Sequence, residues 1–295
     1  MSIRIATRTS RLARVQSDLV GLAVAGSESE YELVPIETAG EAGDKERFVR
    51  GLERALLEGS AELGVHSAKD LPATMTRGLT IAAVPPREDP LDAWLGPGSS
   101  LDEIPVGARV GTASLRRRSQ LLAARPDLVP VELHGNVDTR IEKLARGEVD
   151  GLVLAMAGLV RLGRQDEAAF TFSLEQMTPA AGQGALVVQT RAAGEQDARV
   201  RSANDPAAER ELLAERATVV GLGTDCSSPV GVHARHAAGV LMIDAYAGLP
   251  DGSSWVRDRI EGDPSEPEAL GADLARRMNS AGAEVILRAA AGAAG

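Results

Sequence analysis

Short apolar runs alternate with amphipathic segments through the first half of the chain. The apolar runs are rich in Val, Ile and Leu and are bounded by polar or Gly-containing stretches, which is typical of β-strands. Strands are therefore predicted at Arg4–Thr7, Tyr31–Glu37, Glu62–Ala68 and Leu79–Pro85. Helix-length segments separate most of these strands. This order predicts βαβ units and a mainly parallel sheet.

The segment after the first strand predicts an amphipathic helix. Ser10 is a favourable N-cap, and the helix should extend to about Ala25. Apolar residues recur there at intervals of three and four, and we expect this stripe to face the sheet. The stripe consists of Leu12, Val15, Leu19 and Leu22.

The second half of the chain repeats the α/β pattern and then changes. A polar, proline-rich connection at Pro85–Pro90 precedes a second α/β run. The lone strand Gly184–Thr190 follows it, and its position suggests a return to the first sheet. A further unit opens with a helix over Asn204–Val220, with Leu212, Leu213, Val219 and Val220 on one face. Antiparallel strands and one final helix over about Glu266–Ala290 complete it. The expected domains are residues 1–86 plus 184–203, residues 87–183, and residues 204–295.

Composition and charge restrict the possible partners. The 295 residues are 44% hydrophobic and 25% charged, as in ordinary globular proteins. A net charge of −10 and only 2% aromatic residues argue against nucleic acid and anionic membranes as partners. No signal peptide, membrane span, metal-ligand pattern or disulfide pair is recognisable, so we expect a cytoplasmic protein without a metal. The scarcity of aromatic residues favours a monomer.

Polar residues directly follow two of the predicted strands. Lys69 and Asp70 come after the strand that contains His66, and Arg8 follows the first strand. Ligands of open α/β sheets bind beyond the carboxyl ends of the strands. A carboxylate at this position could transfer a proton or stabilise a cation. The alternative is an ordinary turn in which Asp70 is a cap and Lys69 is solvated.

Cations also cluster after later strands. In GTASLRRRSQ, Ser114 begins a helix and Arg116, Arg117 and Arg118 follow. A helix N-terminus attracts anions, and guanidinium groups bind carboxylates bidentately. Three cations in a first helical turn oppose the helix dipole, which favours a functional interpretation over a solvated helix face. Arg140 follows the next strand in HGNVDTR. On an acidic chain, these residues indicate a pocket for an anion.

The single cysteine, Cys226, lies in a loop rich in Gly, Ser and Pro. A lone cysteine is most often a small buried hydrophobic residue. A loop position makes the thiol more accessible, so a covalent role is also open.

Taken together, these segments resemble the hydroxymethylbilane synthase (porphobilinogen deaminase) family. The resemblance covers nearly the whole chain, in order. It is carried by RIATR, VHSAKDLP, REDPLDAW, GTASLRRRSQL, RPDLVPVELHGNVDTR, AMAGLVRLG, AAGQGAL and DCSSPVG. It implies an α/β fold with three domains. The first two would be lobes like those of periplasmic binding proteins around a cleft. The third would be a smaller α+β domain that carries the cofactor loop.

The resemblance also implies a reaction and a set of site residues. The family condenses porphobilinogen units head to tail, releases ammonia and forms the linear tetrapyrrole hydroxymethylbilane. Its dipyrromethane cofactor is attached through a thioether to a loop cysteine, which matches Cys226, and its catalytic aspartate matches Asp70. The cofactor would contact Lys69, Ser114, Arg116, Arg117 and Arg140. The substrate would contact Arg8, Arg161 and Gln183.

Two departures from the family pattern leave alternatives open. The family usually has an arginine where His134 stands, and the loop around Glu41–Arg47 is shorter than usual. An inactive family member with a shortened loop is therefore one alternative. The other is a non-catalytic, two-lobed binding protein for a small dicarboxylate. That alternative explains the arginines but neither the loop cysteine nor the carboxylate of HSAKDLP.

Overall fold

The computed structural model describes residues 2–36, 45–72, 74–192, 198–224 and 228–293. The chain divides into two compact units, of which the first comprises Met1–Glu88 and Gly184–Glu209, and the second Asp89–Gln183 and Arg210–Gly295. Sheets and helices occur in both units, so the predicted α/β class is confirmed. The division into three domains stays a prediction.

The elements follow one another in a mixed order. The strands are β1 (Ile3–Arg8), β2 (Tyr31–Ile36), β3 (Leu63–Ser67), β4 (Leu79–Ala83), β5 (Asp92–Leu95), β6 (Arg109–Gly111), β7 (Val129–Val131), β8 (Gly151–Ala155), β9 (Phe170–Thr171), β10 (Leu186–Arg191), β11 (Val230–Ala237), β12 (Val240–Gly248) and β13 (Trp255–Gly262). The α-helices are α1 (Arg11–Ala25), α2 (Lys45–Leu57), α3 (Leu115–Ala124), α4 (Val137–Ala145), α5 (Met156–Arg161), α6 (Ala198–Ser202), α7 (Pro206–Gly221), α8 (Pro267–Ser280) and α9 (Ala283–Ala293).

The first unit is built on a sheet with the strand order β2-β1-β3-β10-β4. Strand β1 pairs in parallel with β2 and β3. Strand β10 returns from far along the chain and pairs antiparallel with β3 and β4, which confirms the predicted return. Ile5, Leu63 and Val188 are buried in its core. The carboxyl ends of β1 and β3 therefore lie at one edge of this sheet.

Helix α1 has the predicted N-cap but buries a different face. The Ser10 hydroxyl accepts a hydrogen bond from the Ala13 amide. Leu19 and Leu22, however, are 48% and 41% exposed, so the apolar-stripe prediction is wrong. The buried face instead consists of Gln16, Ser17, Val20, Gly21 and Val24.

Hydrogen bonds explain why polar residues lie on the buried face of α1. The Gln16 amide donates to Ser67 Oγ at 3.1 Å, and Ser17 Oγ donates to Thr7 Oγ1 at 2.7 Å. Buried polar groups are tolerated when they are paired in this way. The helix is therefore oriented by partners in β1 and β3 as well as by hydrophobicity.

The second unit contains a five-stranded sheet with the order β7-β6-β8-β5-β9. Strand β6 is parallel to β7 and β8, whereas β5 and β9 form an antiparallel edge. Trp94 is fully buried in this core and packs directly on Gly151. A Cβ at Gly151 would come within 2.1 Å of the indole ring, so this close approach requires glycine.

An antiparallel sheet, β11-β12-β13, completes the second unit with α7, α8 and α9. The single final helix predicted over Glu266–Ala290 is wrong. Helix α8 ends at Ser280, and α9 begins at Ala283 after Gly282, whose φ of 104° interrupts the helix. Val220 of α7 is 57% exposed, so its assignment to the apolar face is also wrong.

None of the helices in the described ranges is long and apolar enough to cross a membrane. Within the same part of the chain, no group of three or more His, Cys, Asp or Glu residues could hold a metal ion.

Candidate active site

The first unit brings a cation and a carboxylate together at the edge of its sheet. Arg8 is the last residue of β1, and Asp70 ends a short 3-10 turn, Ala68–Asp70, directly after β3. Burial lowers the pKa of Arg8, and the nearby Asp70 carboxylate opposes that shift. Lys69 lies in the same turn. The structure thus gathers Arg8, Lys69 and Asp70 where parallel strands end, as the sequence predicts.

Backbone hydrogen bonds hold the Ala68–Asp70 turn in place. The Ala68 amide donates to the Ala185 carbonyl at 3.0 Å, and the Leu71 amide donates back to the Ala68 carbonyl. Ser67, which precedes the turn, contacts Gln16 of α1. Gln16 is a supporting residue that the sequence analysis missed. Gln16 lies four residues before Val20, so the two residues share one face of the helix. This spacing was the available sequence signal that Gln16 is buried.

The second unit places its predicted cations after three neighbouring parallel strands. Arg116 and Arg117 follow β6 at the start of α3, Arg140 follows β7 in α4, and Arg161 ends α5 after β8. Ser114 is the N-cap of α3, and its hydroxyl accepts a hydrogen bond from the Arg117 amide. The strand order β7-β6-β8 puts these chain segments at one edge of the sheet.

A buried carboxylate, Asp92, organises two of these arginines. Arg117 donates to Asp92 Oδ1 through Nε at 2.9 Å and Nη2 at 2.7 Å. Arg116 donates through Nη1 to Asp92 Oδ2 at 2.7 Å. Asp92 is fully buried. The sequence analysis missed it, because an aspartate within the short strand DAWL gives no local sign of its partners.

Arg140 has a different environment from that of Arg116 and Arg117. Burial, together with the nearby charge of Arg117, lowers its pKa to about 10. Its Nε atom is buried without a hydrogen-bond partner among the described residues. Two guanidinium groups therefore share the Asp92 carboxylate, and the guanidinium of Arg140 adds a third positive charge near Arg117. The excess positive charge favours binding of an anion.

Gln183 lies in a tight turn that reaches the same buried carboxylate. Its flanking glycines, Gly182 and Gly184, have φ angles of 74° and 86°. The Gln183 Nε2 atom donates to Asp92 Oδ1 at 3.0 Å and to the Pro90 carbonyl at 2.7 Å. Gln183 thus belongs to the arginine site, where the structure gives it a supporting contact.

Three further sequence predictions concern loops. Cys226 lies outside the described residues, between the end of α7 at Gly221 and the start of β11 at Val230. Residues 41–44 of the shortened loop also lie outside them, and α2 begins at Lys45. His134 is exposed, and its Nε2 lies 2.8 Å from Glu132 Oε1.

The second unit is thus an α/β unit with an arginine cluster suited to binding anions, and the first unit has a carboxylate, Asp70, of a kind suited to proton transfer. Comparison with known proteins narrows the class of protein. Residues 3–200 match the family model "porphobilinogen deaminase, dipyromethane cofactor binding domain", and residues 210–280 match the C-terminal domain of porphobilinogen deaminase.

Relatives agree with the family models over almost the full length. The chain is 42% identical to a porphobilinogen deaminase of Thermus thermophilus, with 96% of this chain and 97% of that protein covered. It is 39% identical to one of Campylobacter curvus, with 98% and 97% covered. The chain therefore belongs to the porphobilinogen deaminase family, the transferases of porphyrin biosynthesis that carry a dipyrromethane cofactor.

A more distant likeness is found to solved structures of periplasmic solute binding proteins. A TRAP periplasmic solute binding protein from Pseudomonas putida F1, solved with D-glucuronate, has a TM-score of 0.41 and 10% identity. The match covers 69% of this chain and 78% of that one.

The chemistry of the arginine site fits the family cofactor. Dipyrromethane is built from two pyrrole rings that carry acetate and propionate groups, so it brings several carboxylates. The buried Nε of Arg140 and the positive excess around Asp92 suit such carboxylates. The residues present therefore match the group they would have to hold.

Proposed function

We propose that this chain is a working porphobilinogen deaminase whose carboxylate-binding site is the arginine cluster of the second unit and whose proton-transferring group is Asp70. The observation that carries the proposal is the buried pair of Arg116 and Arg117 on the carboxylate of Asp92, with the half-buried Arg140 close to Arg117. An acidic chain builds such a cluster at a stability cost, which binding of an anion offsets.

The arginines of the second unit divide the work of binding. Arg116 and Arg117 are oriented by Asp92, so their remaining donors are fixed in direction. Arg140 is half-buried, and its buried Nε atom has no hydrogen-bond partner among the described residues. Ser114 and Arg161 flank the same strand ends. We assign cofactor contacts to Lys69, Ser114, Arg116, Arg117 and Arg140. Substrate contacts are assigned to Arg8, Arg161 and Gln183.

Asp70 is the group proposed to move protons. Loss of ammonia from porphobilinogen leaves an electron-deficient cation, and coupling of the rings must then release a proton. A carboxyl group in its acid form can protonate the leaving amine, and the carboxylate that remains can stabilise the cation and accept the released proton. Arg8 interacts electrostatically with Asp70 and would add positive charge for the substrate carboxylates.

Cys226 is proposed as the point of covalent attachment. When bound, the dipyrromethane supplies the terminal pyrrole carbon to which the first substrate is joined. A covalent anchor keeps the growing chain at the site, which replaces a diffusional encounter with a local one. The Cys226 thioether would hold one end of the chain, and the arginines would hold its carboxylates.

A substitution series at Asp70 tests the proposal. Asp70→Asn keeps the shape of the side chain but cannot accept a proton, so we expect ammonia release from porphobilinogen to fall by about 100-fold or more. Asp18→Asn is the control, since Asp18 accepts a hydrogen bond from Tyr31 and lies outside the proposed site. It should remain near the unsubstituted rate. Equal rates for the two variants would contradict the role of Asp70.

Intact-protein mass spectrometry tests the anchor. The unsubstituted chain and Asp70→Asn should both carry the mass of a two-ring adduct, and Cys226→Ser should carry none. A bare chain mass after incubation with porphobilinogen would contradict the proposal. A chain that carries the adduct but releases no ammonia would instead be an inactive family member. A chain with neither property would be the dicarboxylate-binding protein.

The same proposal also includes the partners, location, domains and oligomeric state of the protein. The net charge of −10 supports a chain without nucleic-acid or membrane partners, and the low aromatic content supports a monomer. The single cysteine, which cannot form an intrachain disulfide, supports a cytoplasmic location. The separate sheet and core of β11-β12-β13 support a third domain over residues 204–295. Size-exclusion chromatography with light scattering, expected to give 30.8 kDa, tests the monomer.

A further inference from the structure

A chain of buried polar residues lies beneath the Ala68–Asp70 turn. His66, Gln189 and Glu53 are 7%, 0% and 4% exposed. They come from β3, β10 and α2, so the chain connects three separate elements of the first unit. Buried polar networks of this kind hold their members in one arrangement when every member is satisfied.

The hydrogen bonds of this network all point towards Glu53. Thr76 Oγ1 donates to Glu53 Oε2 at 2.8 Å, and Gln189 Nε2 donates to Glu53 Oε1 at 3.0 Å. A carboxylate only accepts, so the amide oxygen of Gln189 must face His66. His66 Nε2 lies 3.1 Å from that oxygen and is therefore the donor. This arrangement fixes the proton of the neutral imidazole on Nε2.

Charged groups on three different elements interact electrostatically with His66. They are Glu53 of α2, Asp70 of the following turn and Arg8 of β1. Burial is the dominant effect and lowers the pKa of His66 to about 4. The ring is therefore neutral near pH 7 and adds no competing charge next to Asp70 and Arg8.

His66 is well placed to control the turn that follows it. It pairs with Val187 of β10 in the sheet register, and only Ser67 separates it from Ala68. Its ring is thus held by Gln189 of β10, and Ala185, which directly precedes β10, supplies its carbonyl to the turn. A shift of the ring would be passed to Lys69 and Asp70 through the backbone of Ser67 and Ala68.

We propose that His66, Gln189 and Glu53 form a positioning network for the Lys69–Asp70 turn and act on the reaction through Asp70 without contacting the substrate. This inference rests on the proposed function, because it takes Asp70 to be the proton-transferring group.

The test compares two neighbouring substitutions in β10. Gln189→Met keeps the length of the side chain but removes both hydrogen bonds. Thr190→Val removes one hydrogen bond, from Thr190 Oγ1 to the Glu62 carbonyl, and leaves the network intact. Displacement of a reacting group can reduce turnover by about 10- to 100-fold. We expect this loss of kcat in Gln189→Met, with KM for porphobilinogen within about twofold. Thr190→Val should keep the unsubstituted kcat.

A second measurement does not depend on turnover. The ring ¹⁵N shifts of His66 should show a single tautomer with the proton on Nε2 in the unsubstituted protein and in Thr190→Val. In Gln189→Met the ring loses its acceptor, and we expect a mixture of tautomers. A mixture in the unsubstituted protein would overturn the proposed network.

The two proposals fail in different ways. If Asp70→Asn turns over normally, the proposed role of Asp70 fails. If Asp70→Asn is inactive but Gln189→Met has the same kcat as Thr190→Val, the positioning network fails and the role of Asp70 stands.

Discussion

At the scale of single residues, the arginines of the second unit lie in different environments. Arg116 and Arg117 are 4% and 6% exposed and share the fully buried Asp92, whereas Arg140 has its pKa lowered by burial and by Arg117. The sequence predicts that these cations follow strands, since that information is local. It does not indicate that one carboxylate, 24 residues before Arg116, orients two of them.

Removal of the Asp92 charge should be strongly destabilising. Asp92→Asn leaves two buried guanidinium groups without their counter-ion, and breaking a buried ion pair costs about 3–5 kcal/mol. Asp150→Asn, which breaks the exposed pair with Arg109, should cost about 1 kcal/mol or less. Urea unfolding of both variants measures the difference. Equal costs would show that Asp92 does not organise the arginines.

His66 should make the stability of the protein depend on pH. Burial lowers its folded-state pKa from 6.5 to about 4, so the unfolded chain binds the proton more readily between those values. The stabilisation by neutral His66 is therefore present above pH 6.5 and is lost as the pH falls towards 4, by roughly 3 kcal/mol. Urea unfolding from pH 7 to 4 should show a steeper decline for the unsubstituted protein than for His66→Gln. Identical slopes would contradict the burial of a neutral ring.

At the scale of elements, helix α1 shows how far periodicity can be trusted. The N-cap at Ser10 and the end at Ala25 follow from local signals, and both are confirmed. The buried face does not follow the most apolar stripe, because Gln16 and Ser17 find hydrogen-bond partners in Ser67 and Thr7. Hydrophobicity alone assigns such residues to the solvent, and only the neighbouring strands reveal their partners.

Substitutions on the two faces of α1 should distinguish the face that is buried in the structure from the face that the apolar stripe predicts. Leu19→Gln and Leu22→Gln, on the exposed side, should change stability by about 0.5 kcal/mol or less. Val20→Ala, on the buried side, should cost about 2 kcal/mol because it leaves a cavity. Thermal unfolding of the three variants provides the comparison. A larger loss in the leucine variants would restore the apolar-stripe interpretation.

At the scale of the whole molecule, the first unit is discontinuous in sequence. Strand β10 lies between β3 and β4, so residues 1–88 alone would lack the strand that joins them. The Glu88 amide donates to the Gly184 carbonyl at 3.3 Å. The point where the chain leaves the first unit therefore lies next to the point where it returns. A short linker could therefore join Glu88 to Gly184 within this unit.

Two fragments should behave differently for this reason. Residues 1–88 alone should remain largely unfolded, since β4 has no partner and the core lacks Val188. Residues 1–88 joined by a short Gly-Ser linker to residues 184–209 should fold cooperatively. Circular dichroism and urea unfolding distinguish the two. A stable fold in the shorter fragment would mean that β10 is dispensable.

The sequence by itself determined the strand and helix pattern, the return of β10 and the cations and carboxylate that follow the strands. These features depend on residues close in the chain, whose spacing and caps are visible locally. The ordered motifs also indicated the family. Only the tertiary structure decided which face of α1 is buried, where the last helix breaks, and that Asp92 and the His66–Gln189–Glu53 chain lie inside. Those outcomes depend on partners tens of residues away, and burial makes an unpaired polar group costly enough to override a local preference.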